Sequence, residues 1–154
     1  MNVEFVDFDR MFLGYSWKWL NDPEIKRLTN SSSFTKEEQE EWYNSLESIS
    51  AHYFIKGVCL DNKPIGITGL KNISSREGEY WGYIGEKEHW GKGIGTQMLE
   101  YIMKKGKEDG LERIYLKVSL NNDRAISLYK KLGFIVVEDI ERQLKSELYM
   151  EYKY

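Results

Sequence analysis

Polar and apolar residues alternate loosely over Asn2–Phe8, which predicts a first strand. Met11–Leu20 then places aromatic and aliphatic side chains at helical spacing. Asp22-Pro23 is a cap followed by proline at the first helical position, which opens a short helix through Leu28. Thr29–Phe34 is a polar loop, and Thr35 with Glu38 forms a capping-box pattern before a helix through about Leu46. The period then changes from helix to strand. Tyr53–Leu60 and Pro64–Leu70 are expected strands joined by a hairpin turn at Asp61-Asn62-Lys63. Ser74–Gly78 reads as a turn, with a third strand at Glu79–Gly85. In Thr96–Glu108 the residues Met98, Leu99, Ile102 and Met103 share one helical face, and Asp109-Gly110 ends it. Ile114–Val118 predicts a strand and Arg124–Lys131 a short helix stopping at Gly133. Phe134–Glu138 and Glu147–Tyr152 complete the chain as strands. This order predicts an α/β protein, a mixed sheet covered by helices. With 154 residues and no evident linker, residues 1–154 are expected to form one domain.

Composition narrows the function. The chain is 41% hydrophobic and 14% aromatic, enough to close a core. Its 22 basic and 25 acidic residues give a net charge of -3, which supplies no field for a nucleic-acid backbone. Neither a secretory leader nor an 18-residue apolar run is visible, so a cytoplasmic protein without a membrane span is expected. The single cysteine, Cys59, lies in an apolar run and is expected to be a buried, inert thiol. With only two histidines, His52 and His89, no metal site is expected.

The most informative segment is Tyr83–Leu99. Gly91, Gly93 and Gly95 stand between a predicted strand and a predicted helix. Glycines so spaced let backbone N–H groups approach an anion, and the following helix adds its free N–H groups and positive dipole end. The spacing is neither a Walker loop nor a dinucleotide fingerprint. Motif logic alone points to a phosphate-bearing ligand, with a plain tight turn as the alternative.

The segment Trp90-Gly91-Lys92-Gly93-Ile94-Gly95 resembles the acetyl-coenzyme A motif of the GNAT acetyltransferase superfamily, with Trp90 in place of the usual Gln or Arg. A second block, Asn122 to Phe134, is similar to the family's N-x-x-A-x-x-x-Y-x-x-x-G-F. The branch it resembles includes ribosomal-protein and nucleotide-amino-sugar acetyltransferases. The resemblance implies a mostly antiparallel mixed sheet, acetyl-CoA as cofactor and a strand that splays from its neighbour to admit the pantetheine arm. It implies that Ile84, Gly85 and Glu86 contact that arm. Gly91, Lys92, Gly93, Ile94, Gly95 and Thr96 would form the pyrophosphate loop, Asn122 would contact the cofactor, and Lys131 would add charge near the phosphates or remain a solvated helix residue.

The chemistry requires a neutral amine, held near the thioester carbonyl, and a proton donor for the leaving thiolate. The resemblance implies that Tyr129 is that donor; a core tyrosine is the alternative. Many relatives use a glutamate on a central strand as base. Glu79 is the candidate, with a carboxylate in a surface turn as the alternative reading. By the period of two, Glu79, Trp81 and Tyr83 share one face that could line an acceptor pocket. Another glutamate position of the family falls on Lys117, which cannot serve.

The expected function is transfer of an acetyl group to the primary amine of a small molecule. The block Trp17–Ile25 is similar to a segment of nucleotide-amino-sugar acetyltransferases, which favours an amino sugar. Trp17, Trp19, Trp42 and Trp81 could offer faces to a sugar or base, or pack the core. A protein N-terminus as acceptor, or an acyl-CoA-binding module without catalysis, are the alternatives. The partners expected are a small-molecule amine and, as an open option, a second copy in a homodimer. Neither nucleic acid nor membrane is expected.

Overall fold

The computed structural model describes residues 2–138 and 146–154. Strand β1 (Val3–Asp7) leads into helix α1 (Arg10–Leu20), whose N-cap Asp9 accepts a bond from the Phe12 N–H. Asp22 caps α2 (Pro23–Thr29) with proline in its first turn, and Thr35 caps α3 (Lys36–Ser45) through a complete capping box with Glu38. Strands β2 (Phe54–Leu60) and β3 (Lys63–Lys71) form the hairpin. Its tip, Asp61 and Asn62, takes left-handed backbone at φ 49° and 68°, as a two-residue turn between twisted strands requires.

Strand β4 covers Glu77–Ile84 and is followed by a 3₁₀ turn, Lys87–His89. Helix α4 (Ile94–Glu108), strand β5 (Arg113–Ser119), helix α5 (Asp123–Lys131), and strands β6 (Ile135–Val136) and β7 (Glu147–Lys153) follow. The sheet has seven strands in the order β1-β2-β3-β4-β5-β7-β6. Every neighbouring pair is antiparallel except β4 and β5. The expected mixed, mostly antiparallel sheet with helices is what the chain forms.

Three expected boundaries shift with a local cause. Strand β4 begins at Glu77 rather than Glu79, because the Ser74 hydroxyl and carbonyl–amide pairing with Glu77 close the turn earlier. Helix α4 begins at Ile94 rather than Thr96, because Gly93 at φ 83° forms its cap. The last-but-one strand is only Ile135–Val136, shorter than Phe134–Glu138; Phe134 is instead buried in the core.

The two faces of the sheet carry separate cores. On one, Tyr80 packs with Leu99 and Ile102 of α4 and with Ile114 and Leu116 of β5. On the other, Phe12 and Trp19 of α1 meet Ile67, with Trp81 and Tyr83 packed against them. Alternation along β4 therefore sends Tyr80 toward α4 and α5, and Glu79, Trp81 and Tyr83 toward α1–α3. Cys59 is a free, buried thiol whose ionisation burial pushes up.

Candidate active site

Strands β4 and β5 pair over only three rows: Glu77 with Arg113, Gly78 with Ile114, and Glu79 with Tyr115. Beyond Glu79 the strands part, although β4 continues to Ile84 and β5 to Ser119. The gap opens into a cleft of about 1060 Å³. Its wall combines the end of β4, the glycine loop, the end of β5, α5, and the Thr29–Phe34 loop.

Local sequence explains the loop. Gly91 and Gly93 lie at φ 74° and 83°, conformations that side chains with a Cβ adopt with strain. Open space surrounds the Cβ position of Gly93, so its requirement is conformational rather than steric. The first N–H groups of α4 follow without a side-chain cap, leaving donors available to an anion. Trp90 pins the loop: its indole Nε1 donates to the Ile84 carbonyl at 2.8 Å, and the Arg124 guanidinium lies over its ring at 5.8 Å. Gly95 brings α4 against α5, since a Cβ there would sit 3.1 Å from Leu128 Cδ1.

The cleft wall brings together Glu79, Ile84, Gly91, Gly93, Gly95, Thr96, Asn122, Tyr129 and Lys131 from the sequence-based set. It omits Gly85, Glu86, Lys92 and Ile94. Ile94 is fully buried in the core beside Val58 and Met98. Gly85 lies under the Trp19 ring, where a Cβ would approach to 2.1 Å. Glu86 accepts a bond from Trp19 Nε1 at 3.2 Å, which makes it a brace between β4 and α1. Lys92 points outward and is exposed.

Asn122 has a double structural part. Its Oδ1 accepts from the Ala125 N–H at 3.2 Å and caps α5, while its Nδ2 donates to the Leu28 carbonyl at 3.3 Å. The end of α2 is thereby clasped to the start of α5. The start of α2 is held by Lys87, whose Nζ lies 2.9 Å from Asp22 and 3.1 Å from Glu24. The hydrogen bond from Lys87 holds the Asp22 carboxyl below its ordinary range, helped by the Ile25 N–H. Both ties hold α2, from whose end residues 30–34 run along the cleft wall.

Two further wall residues carry reactive chemistry. Glu79 is not in a surface turn: it is 5% exposed, in the last paired row before the strands part. Asn72 Nδ2 donates to its carboxylate at 3.0 Å, and Lys71 Nζ lies 3.9 Å away. Tyr129 is on the opposite side of β4, its ring edge-on to Tyr80. Burial pushes the Tyr129 phenol well above its ordinary range, with Tyr80 adding to the shift, and pushes Tyr80 up to about 12. The Tyr129 hydroxyl therefore stays a neutral donor at every physiological pH.

Arg124, whose exposed guanidinium stands nearest the Gly91 Cβ position, was not among the sequence-based candidates. Its signal was positional: two residues after a helix-capping asparagine, facing the glycine loop. Lys117 also lines the cleft and is exposed. Among the described residues, no group of three or more His, Cys, Asp or Glu comes together as a metal site.

A second cavity, of about 300 Å³, lies on the α1–α3 face. Trp42 of α3, Tyr53, and Trp81 and Tyr83 of β4 contribute aromatic walls; of the row Glu79, Trp81 and Tyr83, the two aromatic members line this cavity and Glu79 lines the cleft instead. Leu20, Phe34, Trp81 and Tyr83 are common to this cavity and the cleft. Trp17 instead meets Phe34 edge-on, and Trp19 is core, 2% exposed.

A family model described as the Acetyltransferase (GNAT) family matches residues 16–134. The chain belongs to that family. It is 26% identical over 135 residues to the uncharacterized N-acetyltransferase YobR of Bacillus subtilis, covering 85% of this chain and 54% of that protein. The chain thus spans about half the length of that curated relative, and less of two others. In fold it superposes on spermidine N-acetyltransferase from Vibrio cholerae, solved with CoA and spermine: TM-score 0.85, 22% identity, 98% of this chain and 95% of that one. It also superposes on the Campylobacter jejuni N-acetyltransferase PseH in complex with acetyl coenzyme A: TM-score 0.73, 19% identity, 99% of both chains.

Proposed function

We propose that the protein is an N-acetyltransferase that moves an acetyl group from acetyl-CoA to the primary amine of a small molecule, with amino sugars, free or nucleotide-linked, as the leading class. One observation carries this reading. The only parallel pair among the described strands separates directly beside a glycine loop and the uncapped start of α4. That combination offers an anion cradle at one end and a slot between strands at the other, as a pyrophosphate joined to an extended arm requires.

The donor set fits that cofactor. Backbone N–H groups from Gly91 to Thr96 would hold the pyrophosphate, including those of Lys92 and Ile94, whose side chains point elsewhere. Backbone of Ile84, Gly85 and Glu86 would meet the arm, and Asn122, Arg124 and Lys131 would border it. When bound, acetyl-CoA supplies an activated thioester. The chain supplies position and proton management. Glu79 lies on the α1–α3 face of β4 and Tyr129, from α5, packs on the other face against Tyr80, so base and donor would approach the gap from opposite faces of β4. Glu79 would take the proton released as the amine attacks the carbonyl. Tyr129 would donate a hydrogen bond to the sulfur as the carbon–sulfur bond breaks. Its raised pKa makes charge stabilisation its stronger contribution, because surrendering the proton outright is costly.

The compact aromatic cavity on the α1–α3 face supports a small acceptor over a protein N-terminus. Mass spectrometry of reactions with acetyl-CoA and glucosamine, a nucleotide-linked amino sugar, spermidine, or a peptide with a free N-terminus tests this. Acetylation of small amines with stoichiometric CoA release is the expected result. Acetylation of the peptide alone would transfer the assignment to proteins, and no transfer to any amine would remove it.

A further inference from the structure

The cavity under α1 and α3 has a chemistry of its own. Aromatic residues make up half of its lining, and two of them carry buried polar atoms without hydrogen-bond partners: the Trp81 indole Nε1 and the Tyr83 hydroxyl. Buried donors are ordinarily satisfied, so these two side chains, both lining the cavity, carry bonding capacity that the protein itself does not use. The nearby polar groups are already engaged. Gln39 Nε2 donates to the Leu13 carbonyl and to Ser16 Oγ, each at 3.0 Å. Glu38, at the exposed margin, accepts from the Thr35 N–H at 2.9 Å within the capping box. Burial pushes the Tyr83 phenol up, with the neighbouring Tyr53 adding to it, so Tyr83 is a neutral hydroxyl here.

From these features, and resting on the transferase reading above, we infer that this cavity is the acceptor-side specificity pocket and takes an uncharged, compact, largely apolar ring bearing one or two oxygens. A cavity of about 300 Å³ is at the lower end for a small-molecule site. Aromatic walls reward a flat or alicyclic ring face. The indole N–H asks for an acceptor atom, and the phenol hydroxyl can donate or accept, so a ring oxygen suits both. The one carboxylate lining this cavity, Glu38, is exposed and engaged in the α3 cap, so a polyamine would bury an ammonium here without a buried counter-charge, which is costly. A fully hydroxylated hexosamine would bring more hydroxyls than the walls can satisfy. Leu20, Phe34, Trp81 and Tyr83, shared with the cleft, let the ring sit in the pocket while its amine reaches the gap beside Glu79. An arylalkyl amine and a deoxygenated amino sugar share this chemistry.

The test uses the whole chain with acetyl-CoA and five amines: phenethylamine, tyramine, a dideoxy amino sugar, glucosamine and spermidine. Tyramine or the deoxy sugar should exceed glucosamine and spermidine in kcat/KM by tenfold or more, and which of the two leads identifies the source of the ring. Tyr83→Phe removes only the orphan hydroxyl, and should shrink the preference for tyramine over phenethylamine by roughly two- to tenfold. Trp42→Ala should raise KM for both ring amines far more than for spermidine. Equal or better use of spermidine or glucosamine would overturn the pocket assignment and leave acetyl transfer standing. Absence of all transfer would instead defeat the transferase reading. Calorimetric titration of tyramine into CoA-saturated protein would then decide the pocket: binding that Trp42→Ala abolishes upholds it, and no heat overturns it.

Discussion

Tyr129 meets Tyr80 edge to face, with ring centroids 6.1 Å apart and planes at 77°. The contact fixes a phenol from α5 against the strand whose other face carries Glu79. Because ring packing holds the residue, Tyr129→Phe should leave the fold and acetyl-CoA affinity near normal. Single-turnover acetyl transfer should fall roughly ten- to thousandfold. Transfer within twofold of wild type would show that Tyr129 only packs.

Glu79→Gln keeps the shape and the acceptor oxygen that Asn72 Nδ2 bonds at 3.0 Å. The variant should fold and bind acetyl-CoA, and lose the acidic limb of the pH–rate profile together with most of the rate. A profile and rate like those of wild type would return Glu79 to a purely structural part beside Lys71.

Asn122→Ala removes both the cap of α5 and the clasp on Leu28. Loss of the cap alone should cost about 0.5–2 kcal/mol of stability in urea unfolding. If the clasp positions α2 over the cleft, KM for acetyl-CoA should also rise. Asn122→Asp separates the two, since it retains the cap and loses the donor to Leu28. A KM unchanged in both variants would limit Asn122 to capping.

Four phenols, Tyr53, Tyr80, Tyr83 and Tyr129, are pushed above their ordinary value of 10.0, each chiefly by burial. Above that value the unfolded chain releases these protons while the folded chain keeps them. The unfolded state then binds fewer protons, so stability falls as pH rises. Below it both states are protonated and the stability is fully present. Urea midpoints should hold steady to about pH 10 and then drop, with the phenolate absorbance of these four groups appearing together with unfolding. Phenolate signal from all four groups in a still-folded protein near pH 10 would contradict their burial.

Much of this arrangement was legible along the chain because it depends on local rules. Asp22-Pro23 and the Thr35–Glu38 box are caps, and caps are written in adjacent residues. The glycine loop and the Asn122–Phe134 block were likewise legible, as were the shared face of Glu79, Trp81 and Tyr83. What escaped depends on contacts between distant elements. Trp19 fills the space over Gly85, which turns Glu86 into a brace for an indole. The burial of Glu79 comes from pairing with Tyr115 and Lys71, which its own neighbours in sequence do not announce. Arg124 lies over the Trp90 ring, which itself folds back onto Ile84, a contact between elements far apart in sequence. The aromatic cavity draws Trp42 from α3, Tyr53 from just before β2 and Trp81 from β4, so no single stretch carries its signature.

The loop Gly91–Thr96, set beside the parting of β4 and β5, is the proposed seat of acetyl-CoA. Isothermal titration of acetyl-CoA into wild type and Gly93→Asp tests it most directly. Gly93 lies at φ 83° with open space around it, so aspartate both strains the loop and places a carboxylate where phosphates would sit. Saturable one-to-one binding by wild type, nearly abolished in a folded Gly93→Asp protein, is the predicted result. No binding by wild type, or equal affinity in the folded variant, would contradict the claim.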